Sequence, residues 1–173
     1  LCIAKIIEPI GNNDYKPSVA RWNMATGEIN PMPYEYPDLK KVRFIYTASA
    51  EHQLYVQCYT QYDLMTICDF NGNLKCNIYG PKWVNEKTQT QHYSLGVEFC
   101  GDKILALYSG GDHRTDAYYP TKFLVFDLNG NYLKTLETGY MITDFCYDKE
   151  NNRLIINLND EIQFAYLDLE GII

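Results

Sequence analysis

Asp127-Leu128-Asn129-Gly130-Asn131, preceded by the apolar run Phe123-Leu124-Val125-Phe126, has the pattern of a strand that ends in a tight turn. An Asn-Gly pair supplies the positive φ angles that a short hairpin connection requires. Three other stretches are similar: Met24-Ala25-Thr26-Gly27-Glu28, Asp69-Phe70-Asn71-Gly72-Asn73 and Asp168-Leu169-Glu170-Gly171. Their turn glycines lie 45, 58 and 41 residues apart. A hairpin that recurs at this spacing indicates four-stranded β repeats rather than a helical solenoid.

The repeat predicts an all-β β-propeller built from four-stranded antiparallel blades, whose strands are named A to D from the central axis outward. Alternation and turn residues place about 3.75 blades in the chain, as one domain. The approximate blade bounds are 1–38, 39–91, 92–137 and 138–173. A two-sheet sandwich is the rival architecture, but a sandwich does not require a turn that recurs at a fixed period.

The predicted strands follow chain order within these bounds. The first, partial blade has strands B to D at Leu1–Ile7, Ser18–Met24 and Glu28–Met32. The first complete blade has Val42–Ser49, Leu54–Tyr59, Leu64–Asp69 and Asn73–Tyr79. The second complete blade has Tyr93–Phe99, Lys103–Tyr108, Lys122–Asp127 and Tyr132–Glu137. The last blade has only strands A to C, at Thr143–Tyr147, Arg153–Leu158 and Ile162–Leu167.

The composition limits the classes of partner. The chain is 46% hydrophobic and has sixteen tyrosines, which suit the half-buried surfaces of pleated sheets. The net charge is −7 and the 15 Lys and Arg residues form no basic stripe, so we expect no nucleic-acid partner. No run approaches the roughly 18 to 20 apolar residues of a transmembrane segment.

The two ends of the chain predict an incomplete ring. Leu1 already lies in a predicted strand, and the last blade has no predicted outer strand. Closed propellers commonly complete their final blade with a strand from the N-terminus. We therefore expect missing N-terminal blades, or a partner chain, to close the propeller. Two open blade faces of about 500 Å² each would forgo about 12 kcal/mol per face at about 25 cal/mol/Å², comparable with the stability of a whole domain.

The turns Asp-Phe-Asn-Gly-Asn-Leu at 69–74 and Phe-Asp-Leu-Asn-Gly-Asn-Tyr-Leu at 126–133 resemble those of six-bladed β-propellers of the TolB-like or NHL-like type, notably in exported proteins of Bacteroides-type bacteria. The first repeat departs from the pattern, because Asn23-Met24-Ala25-Thr26-Gly27 lacks the initial Asp. The resemblance implies six blades, a binding or scaffolding role, and export to the periplasm or a lipid anchor in the cell envelope.

The predicted connections differ in length between the two faces. The A–B and C–D connections are tight and share one face, which we term the tight-turn face. The B–C and D–A connections share the other, the long-loop face, and include Glu8–Pro17, Pro31–Lys41, Gly80–Gln91 and Ser109–Thr121. Binding residues concentrate on loops that a rigid scaffold carries, so we expect the ligand on the long-loop face.

Aromatic and charged residues of these connections are the predicted ligand-binding residues: Tyr15, Tyr34, Tyr36, Trp83, His92, His113, Arg114, Tyr118 and Tyr119. Aromatic rings there could form a platform for a sugar or peptide, or could pack the loops onto the blades, and the sequence leaves both interpretations open. The predicted partner is an unknown protein, peptide or carbohydrate.

The loop that contains Asp112, His113 and Asp116 is a candidate metal site. These side chains could ligate a divalent metal, but their spacing matches no known Ca²⁺ loop or zinc signature, and a solvated loop is the alternative interpretation. No recognised catalytic motif accompanies the three histidines. We therefore predict no catalytic residues and no cofactor.

The main functional alternative is a Ca²⁺-dependent enzyme like the lactonase or hydrolase propellers, with Glu98, Asp144 and Asn157 approaching the central channel. A solvated channel lining is the other interpretation of these three residues. A purely structural subunit of an envelope complex is a third possibility. The favoured prediction remains a non-catalytic binding or interaction module.

The six cysteines are Cys2, Cys58, Cys68, Cys76, Cys100 and Cys146. They lie in or beside predicted strands and lack Cys-x-x-Cys spacing, which argues against a zinc or thioredoxin-like site. We expect free, buried thiols that pack as small apolar groups. Cys58 and Cys68 lie on neighbouring strands and could meet, and the sequence leaves their disulfide state open.

Overall fold

The computed structural model describes residues 2–36, 39 and 42–173. Outside this part lie Leu1 and residues 37, 38, 40 and 41, of which the last four belong to the predicted Pro31–Lys41 connection. The predicted boundary between the first two blades falls between residues 38 and 39, and of these two only residue 39 is described. The strands of the described residues are β1 (Cys2–Gly11), β2 (Asp14–Trp22), β3 (Ile29–Pro31), β4 (Phe44–Ser49), β5 (Leu54–Tyr59), β6 (Leu64–Asp69), β7 (Leu74–Tyr79), β8 (Thr90–Cys100), β9 (Lys103–Asp112), β10 (Lys122–Asp127), β11 (Tyr132–Glu137), β12 (Ile142–Asp148), β13 (Arg153–Leu158) and β14 (Phe164–Asp168). One short 3₁₀ helix spans Asp116–Tyr118.

The strands form four antiparallel sheets in chain order: β1-β2-β3, β4-β5-β6-β7, β8-β9-β10-β11 and β12-β13-β14, which we number blades 1 to 4. Within each sheet, every strand pairs with the next strand in the sequence, as in the blades of a propeller. The predicted all-β propeller of four-stranded antiparallel blades is thereby confirmed. Blades 1 and 4 have three strands each in the described residues, as the sequence predicts.

Three apolar cores lie between successive blades. Ile3 and Val19 of blade 1 pack with Tyr55 and Leu64 of blade 2. A second core joins β5 and β6 of blade 2 to β8, β9 and β10 of blade 3. A third joins blade 3 to blade 4 around Phe123. Each sheet is therefore stabilised chiefly by the sheet before it and the sheet after it.

The Asp-x-Asn-Gly-Asn turns form by side-chain capping of the backbone. In blade 2, Asp69 Oδ1 accepts hydrogen bonds from the backbone N–H groups of Asn71 and Asn73 at 2.8 and 2.9 Å, and Asp69 Oδ2 accepts one from Asn73 Nδ2 at 2.8 Å. Asp127 makes the same three bonds in blade 3. Hydrogen bonds to the ionised form lower the pKa of both carboxyl groups.

The glycines of these turns approach the preceding blade closely. A Cβ on Gly72 would lie 2.2 Å from Pro33 Cδ, and one on Gly130 would lie 2.7 Å from Cys76 Sγ. Both glycines have positive φ, at 83° and 86°. Gly27, also at positive φ, has open space around it. The turns of blades 2 and 3 are therefore inter-blade contacts as well as hairpin connections.

Three of the predicted long loops are shorter than expected. The prediction of a Glu8–Pro17 loop is wrong, because β1 and β2 pair through this region and join at Asn12-Asn13, where Asn13 has a φ of 62°. Likewise, β8 pairs with β9 out to Thr90 and Asp112, so strands occupy parts of the predicted Gly80–Gln91 and Ser109–Thr121 loops. Polar turn residues inside a long hairpin resemble a loop when only the sequence is considered.

The outer edge of blade 4 is open. Among the described residues β14 pairs only with β13. A cavity of about 620 Å³ lies between β11 and β14 and is lined mainly by apolar side chains, including Leu136, Ile156 and Leu167. No helix in the described part of the chain is long and apolar enough to cross a membrane.

The cysteines are free thiols, and three of them, Cys58, Cys68 and Cys100, are buried. Burial raises the pKa of Cys68 to about 11. The expectation of burial is wrong for Cys146, which is exposed. Cys146 pairs with Ile155, on the face of blade 4 opposite to the one that packs on blade 3.

Candidate functional site

An aromatic cluster lies on the long-loop face, where the connections that leave blades 1 and 2 meet. The ring centroid of Trp83 is 5.0 Å from that of Tyr79 and 5.9 Å from that of Tyr36. The hydroxyl oxygens of Tyr36 and Tyr79 are 3.2 Å apart and share a hydrogen bond. Buried Tyr62 contacts Trp83 from below, with centroids 6.3 Å apart. We term Tyr36, Tyr79 and Trp83 the aromatic cluster.

The cluster is partly accessible. Tyr79 is 49% exposed, whereas Tyr36 and Trp83 are half-buried and pack against the core between blades 1 and 2. The rings meet mostly at steep angles, with interplanar angles of 61° to 76° within the cluster. Edge-to-face contacts of this kind fix ring positions, so the cluster presents apolar surface at little additional entropic cost on binding.

The β5–β6 turn holds the connection that carries Trp83. The Asp63 carbonyl accepts the Gly80 N–H at 2.8 Å, and Asp63 Oδ2 accepts the Lys82 N–H at 2.9 Å. Gln61 Nε2 donates to the Thr88 carbonyl at 3.2 Å. The backbone of the connection is thus tied to blade 2 at both ends, and it positions the indole.

Tyr15 and Tyr34 lie in a separate cavity of about 240 Å³ between blades 1 and 2, which Tyr36 also lines. Tyr15 is on β2, and its hydroxyl accepts a hydrogen bond from Arg43 Nε at 3.0 Å. The Tyr34 hydroxyl accepts one from Asn77 Nδ2 at 2.8 Å, and burial raises the pKa of Tyr34. These two tyrosines have polar partners within the protein, and Tyr36 connects their cavity to the aromatic cluster.

His92 lies in the interior instead of on an aromatic platform. It is 1% exposed, and its Nδ1 is 3.2 Å from the Tyr108 hydroxyl and 3.7 Å from Asp63 Oδ1. Burial lowers the pKa of His92, although the Asp63 carboxylate acts in the opposite direction. The platform interpretation is therefore wrong for His92, because β8 begins at Thr90 and carries the ring into the sheet.

The remaining predicted site residues form a second group on blade 3. His113 is tied to the neighbouring connection, since its backbone N–H and its Nδ1 both approach the Gln89 carbonyl, at 3.2 and 3.1 Å. The rings of Tyr118 and Tyr119 stack, with centroids 4.2 Å apart. Ser109 Oγ fastens this loop by donating to the Ala117 carbonyl at 2.7 Å.

Asp112 pairs with Arg114. Two charge-assisted hydrogen bonds of 3.0 and 2.6 Å from the guanidinium group, with one from the Arg114 backbone N–H, hold the pKa of Asp112 well below its usual range. Asp116 begins the 3₁₀ helix. Within residues 2–36, 39 and 42–173, no three His, Cys, Asp or Glu side chains group closely enough to hold a metal ion.

The three residues predicted to approach the channel, Glu98, Asp144 and Asn157, lie on β8, β12 and β13. Thr47 Oγ1 on β4 donates to Glu98 Oε2 on β8 at 3.4 Å. Burial raises the pKa of Glu98, and the charge of Asp144 on β12 adds to the effect. Asp144 pairs in register with Asn157 of β13. The three predicted residues therefore lie on adjacent elements, and two of them interact electrostatically.

Sequence reasoning missed Tyr79, Asp63 and Tyr108. Tyr79 ends a predicted strand, so alternation assigns it to the blade. A tyrosine at a strand end, four residues before Trp83, is nevertheless a signal for an aromatic cluster in the connection that follows. Asp63 lies in a tight turn with no recognisable motif. Its contact with Tyr108 spans 45 residues and could not be derived from local patterns.

No family model and no curated protein matches the chain. Among solved structures, a chain in the crystal structure of the mitotic checkpoint complex is similar with a TM-score of 0.61 and 11% sequence identity, over 90% of this chain and 44% of that one. A protein of unknown function from Bacteroides caccae is similar with a TM-score of 0.51 and 14% identity, over 87% of this chain and 54% of that one. The chain thus spans about half the length of each, and these likenesses show the fold alone.

Proposed function

We propose that this chain is part of a non-catalytic binding module that holds a protein or peptide ligand on the long-loop face, at the aromatic cluster. The observation that carries the proposal is the convergence of Tyr36, Tyr79 and Trp83 from separate connections into one partly accessible set of rings. A propeller fold is compatible with such a role, since loops on a rigid scaffold commonly carry binding residues.

The chemistry of the cluster favours recognition of apolar or aromatic groups. Tyrosine and tryptophan dominate the energetics of many protein interfaces, because they combine a large apolar area with a polar atom and little conformational freedom. The similar chain from the mitotic checkpoint complex belongs to a protein assembly, which supports a protein or peptide ligand over a sugar. The acidic net charge of −7 favours a ligand of neutral or basic character.

The proposal extends to the type of propeller. The Asp-x-Asn-Gly-Asn turns and the likeness to the Bacteroides caccae protein support a six-bladed TolB-like or NHL-like propeller from an exported protein. Further blades or a partner chain would then complete the ring beside blades 1 and 4. Fractionation of cells that produce the full-length protein tests the localisation, and recovery from the cytoplasm alone would contradict export.

A selection experiment tests the binding site. A phage-displayed peptide library and a glycan array are screened with the chain, and the dissociation constants of selected ligands are measured for variants. We expect peptides to be selected, and Trp83→Ala to weaken their binding at least about tenfold, equivalent to about 1.4 kcal/mol. Tyr166→Ala is the matched control, because Tyr166 is an exposed aromatic residue on blade 4.

The outcomes separate the alternatives. Equal losses in Trp83→Ala and Tyr166→Ala, or no loss in either, would refute the aromatic cluster as the site. Selection of glycans instead of peptides, with the same dependence on Trp83, would refute the peptide ligand and retain the binding module. Selection from neither library would count against the proposal as a whole.

A further inference from the structure

A third cavity, of about 370 Å³, lies between blades 2 and 3. Its lining includes the aromatic residues Tyr79, Tyr93, Tyr108 and Phe126. Asp63 and Lys122 supply opposite charges to the same lining. The volume is near the lower end of the range for small-molecule sites, about 300 to 1,000 Å³. Apart from Tyr79, the cavity shares no residue with the aromatic cluster.

Asp63 is unusual among the acidic residues because its side chain is completely buried. Its Oδ2 accepts hydrogen bonds from the Lys82 N–H at 2.9 Å and the Tyr108 hydroxyl at 3.3 Å. Its Oδ1 has no hydrogen-bond partner in the described part of the chain. A buried carboxylate oxygen without a partner is costly, so a donor that bound there would stabilise the folded protein.

The described groups nearest Asp63 give its Oδ1 no hydrogen bond. His92 Nδ1 is 3.7 Å from Oδ1, beyond hydrogen-bond distance. Burial lowers the pKa of His92, and the Asp63 carboxylate acts in the opposite direction. The Lys82 ammonium donates to the Gly110 carbonyl at 3.2 Å and lies near enough to His92 to lower the pKa of that imidazole.

Lys122 places a positive charge over the ring of Tyr108. Its Nζ lies 5.7 Å from the centroid of the Tyr108 ring, whereas the Tyr108 hydroxyl donates to Asp63. The two charges thus lie at different places along one aromatic side chain. A purely cationic ligand would be attracted by Asp63 but repelled by Lys122. A purely anionic ligand would be attracted by Lys122 but repelled by Asp63.

We infer that this cavity binds a free α-amino acid with an apolar or aromatic side chain. The ammonium group of the ligand donates to Asp63 Oδ1, and its carboxylate pairs with Lys122. Its side chain packs among Tyr93, Tyr108 and Phe126. Charge-assisted hydrogen bonds are roughly twice as strong as neutral ones, and the dry surroundings of Asp63 favour them further. The inference goes beyond the proposed function, because it adds a small-molecule site to a peptide-binding surface.

Three related probes test the inference by calorimetric titration up to about 10 mM, which detects millimolar dissociation constants. L-Phenylalanine carries both charged groups, phenethylamine carries only the ammonium group, and 3-phenylpropanoate carries only the carboxylate. We expect phenylalanine to bind at least about tenfold more tightly than either of the others.

Variants of the two charged residues assign the contacts. We expect Asp63→Asn to weaken binding of phenylalanine and phenethylamine at least about tenfold, and Lys122→Met to weaken phenylalanine without weakening phenethylamine. Trp83→Ala, in the aromatic cluster, leaves phenylalanine binding unchanged, so failure of this inference is distinguishable from failure of the proposed function. Circular dichroism verifies that each variant is folded.

A separate substitution addresses the position of Asp63, should Asp63→Asn fail to fold. A Cβ on Gly80 would lie 2.1 Å from Asp63 Oδ1, so we expect Gly80→Ala to displace the carboxylate and abolish phenylalanine binding. The inference is overturned if phenylalanine does not bind, if phenethylamine binds as tightly as phenylalanine, or if the Lys122→Met and Gly80→Ala variants bind phenylalanine as the natural sequence does.

Discussion

The turn glycines allow the energy of blade-to-blade docking to be separated from the energy of the turn itself. Gly27 and Gly72 both have positive φ, at 76° and 83°. A Cβ on Gly27 would meet nothing within 4 Å, whereas a Cβ on Gly72 would lie 2.2 Å from Pro33 Cδ. Substitution by alanine at the two positions therefore imposes a similar backbone penalty, and only one of the substitutions adds an inter-blade clash.

The magnitudes follow from these two terms. An L-residue in the left-handed region costs about 1–2 kcal/mol, so Gly27→Ala should lower the free energy of unfolding by about that amount. Overpacking adds about 1–3 kcal/mol, so Gly72→Ala should cost about 2–5 kcal/mol in total. Since the proline ring and the backbone next to it are hard to displace, we expect the difference to lie well above the error of a urea titration.

Urea unfolding followed by circular dichroism measures both variants, and a double-mutant cycle with Pro33→Ala identifies the contact. Removal of the proline ring should restore at least about 0.5 kcal/mol of the loss in Gly72→Ala. Pro33→Ala should restore nothing in Gly27→Ala. Equal destabilisation by Gly27→Ala and Gly72→Ala, or a cycle without coupling, would refute the reasoning.

Three further predictions concern charged groups. Burial raises the pKa of Glu98 above its ordinary 4.5, so the folded state loses stability as the pH rises through the raised pKa. Glu98→Gln should therefore raise the melting temperature at pH 7 but not at pH 4. Hydrogen bonds lower the pKa of Asp127, so the ionised carboxylate stabilises the folded state at neutral pH, and this stabilisation is lost on acidification below about pH 4. Asp127→Asn should therefore make the melting temperature depend less on pH between about pH 2 and 5. Millimolar Ca²⁺ tests the lactonase-like alternative: a rise in the melting temperature that Glu98→Gln abolishes would support that alternative, and an unchanged melting temperature would count against it.

The strands of blades 2 and 3 could be predicted because alternation and turn chemistry agree there. Leu54–Tyr59 and Lys122–Asp127 have the bounds expected from the sequence. The Asp-x-Asn-Gly-Asn turns define the strand ends through hydrogen bonds between residues at most four positions apart, and such local interactions are visible in a sequence.

The site was less predictable because its contacts are not local. The burial of His92 depends on Asp63 and Tyr108, which lie on different elements. Trp83 and Tyr36 meet only because the connections of two blades converge. The exposure of Cys146 depends on which face of blade 4 packs on blade 3, a choice that a short apolar strand does not reveal.

The arrangement of the three apolar cores determines which sheets lose stability when one core is disrupted, and which segment of the chain can be duplicated as a unit. Each core joins one sheet to the next, so the interaction energies form a linear series of nearest-neighbour couplings. A destabilising substitution in one core would weaken the two sheets that share this core. The other two cores would stay intact. Duplication of a segment that encodes one sheet adds one coupling of the same kind, which makes the sheet the natural unit of gain and loss during evolution.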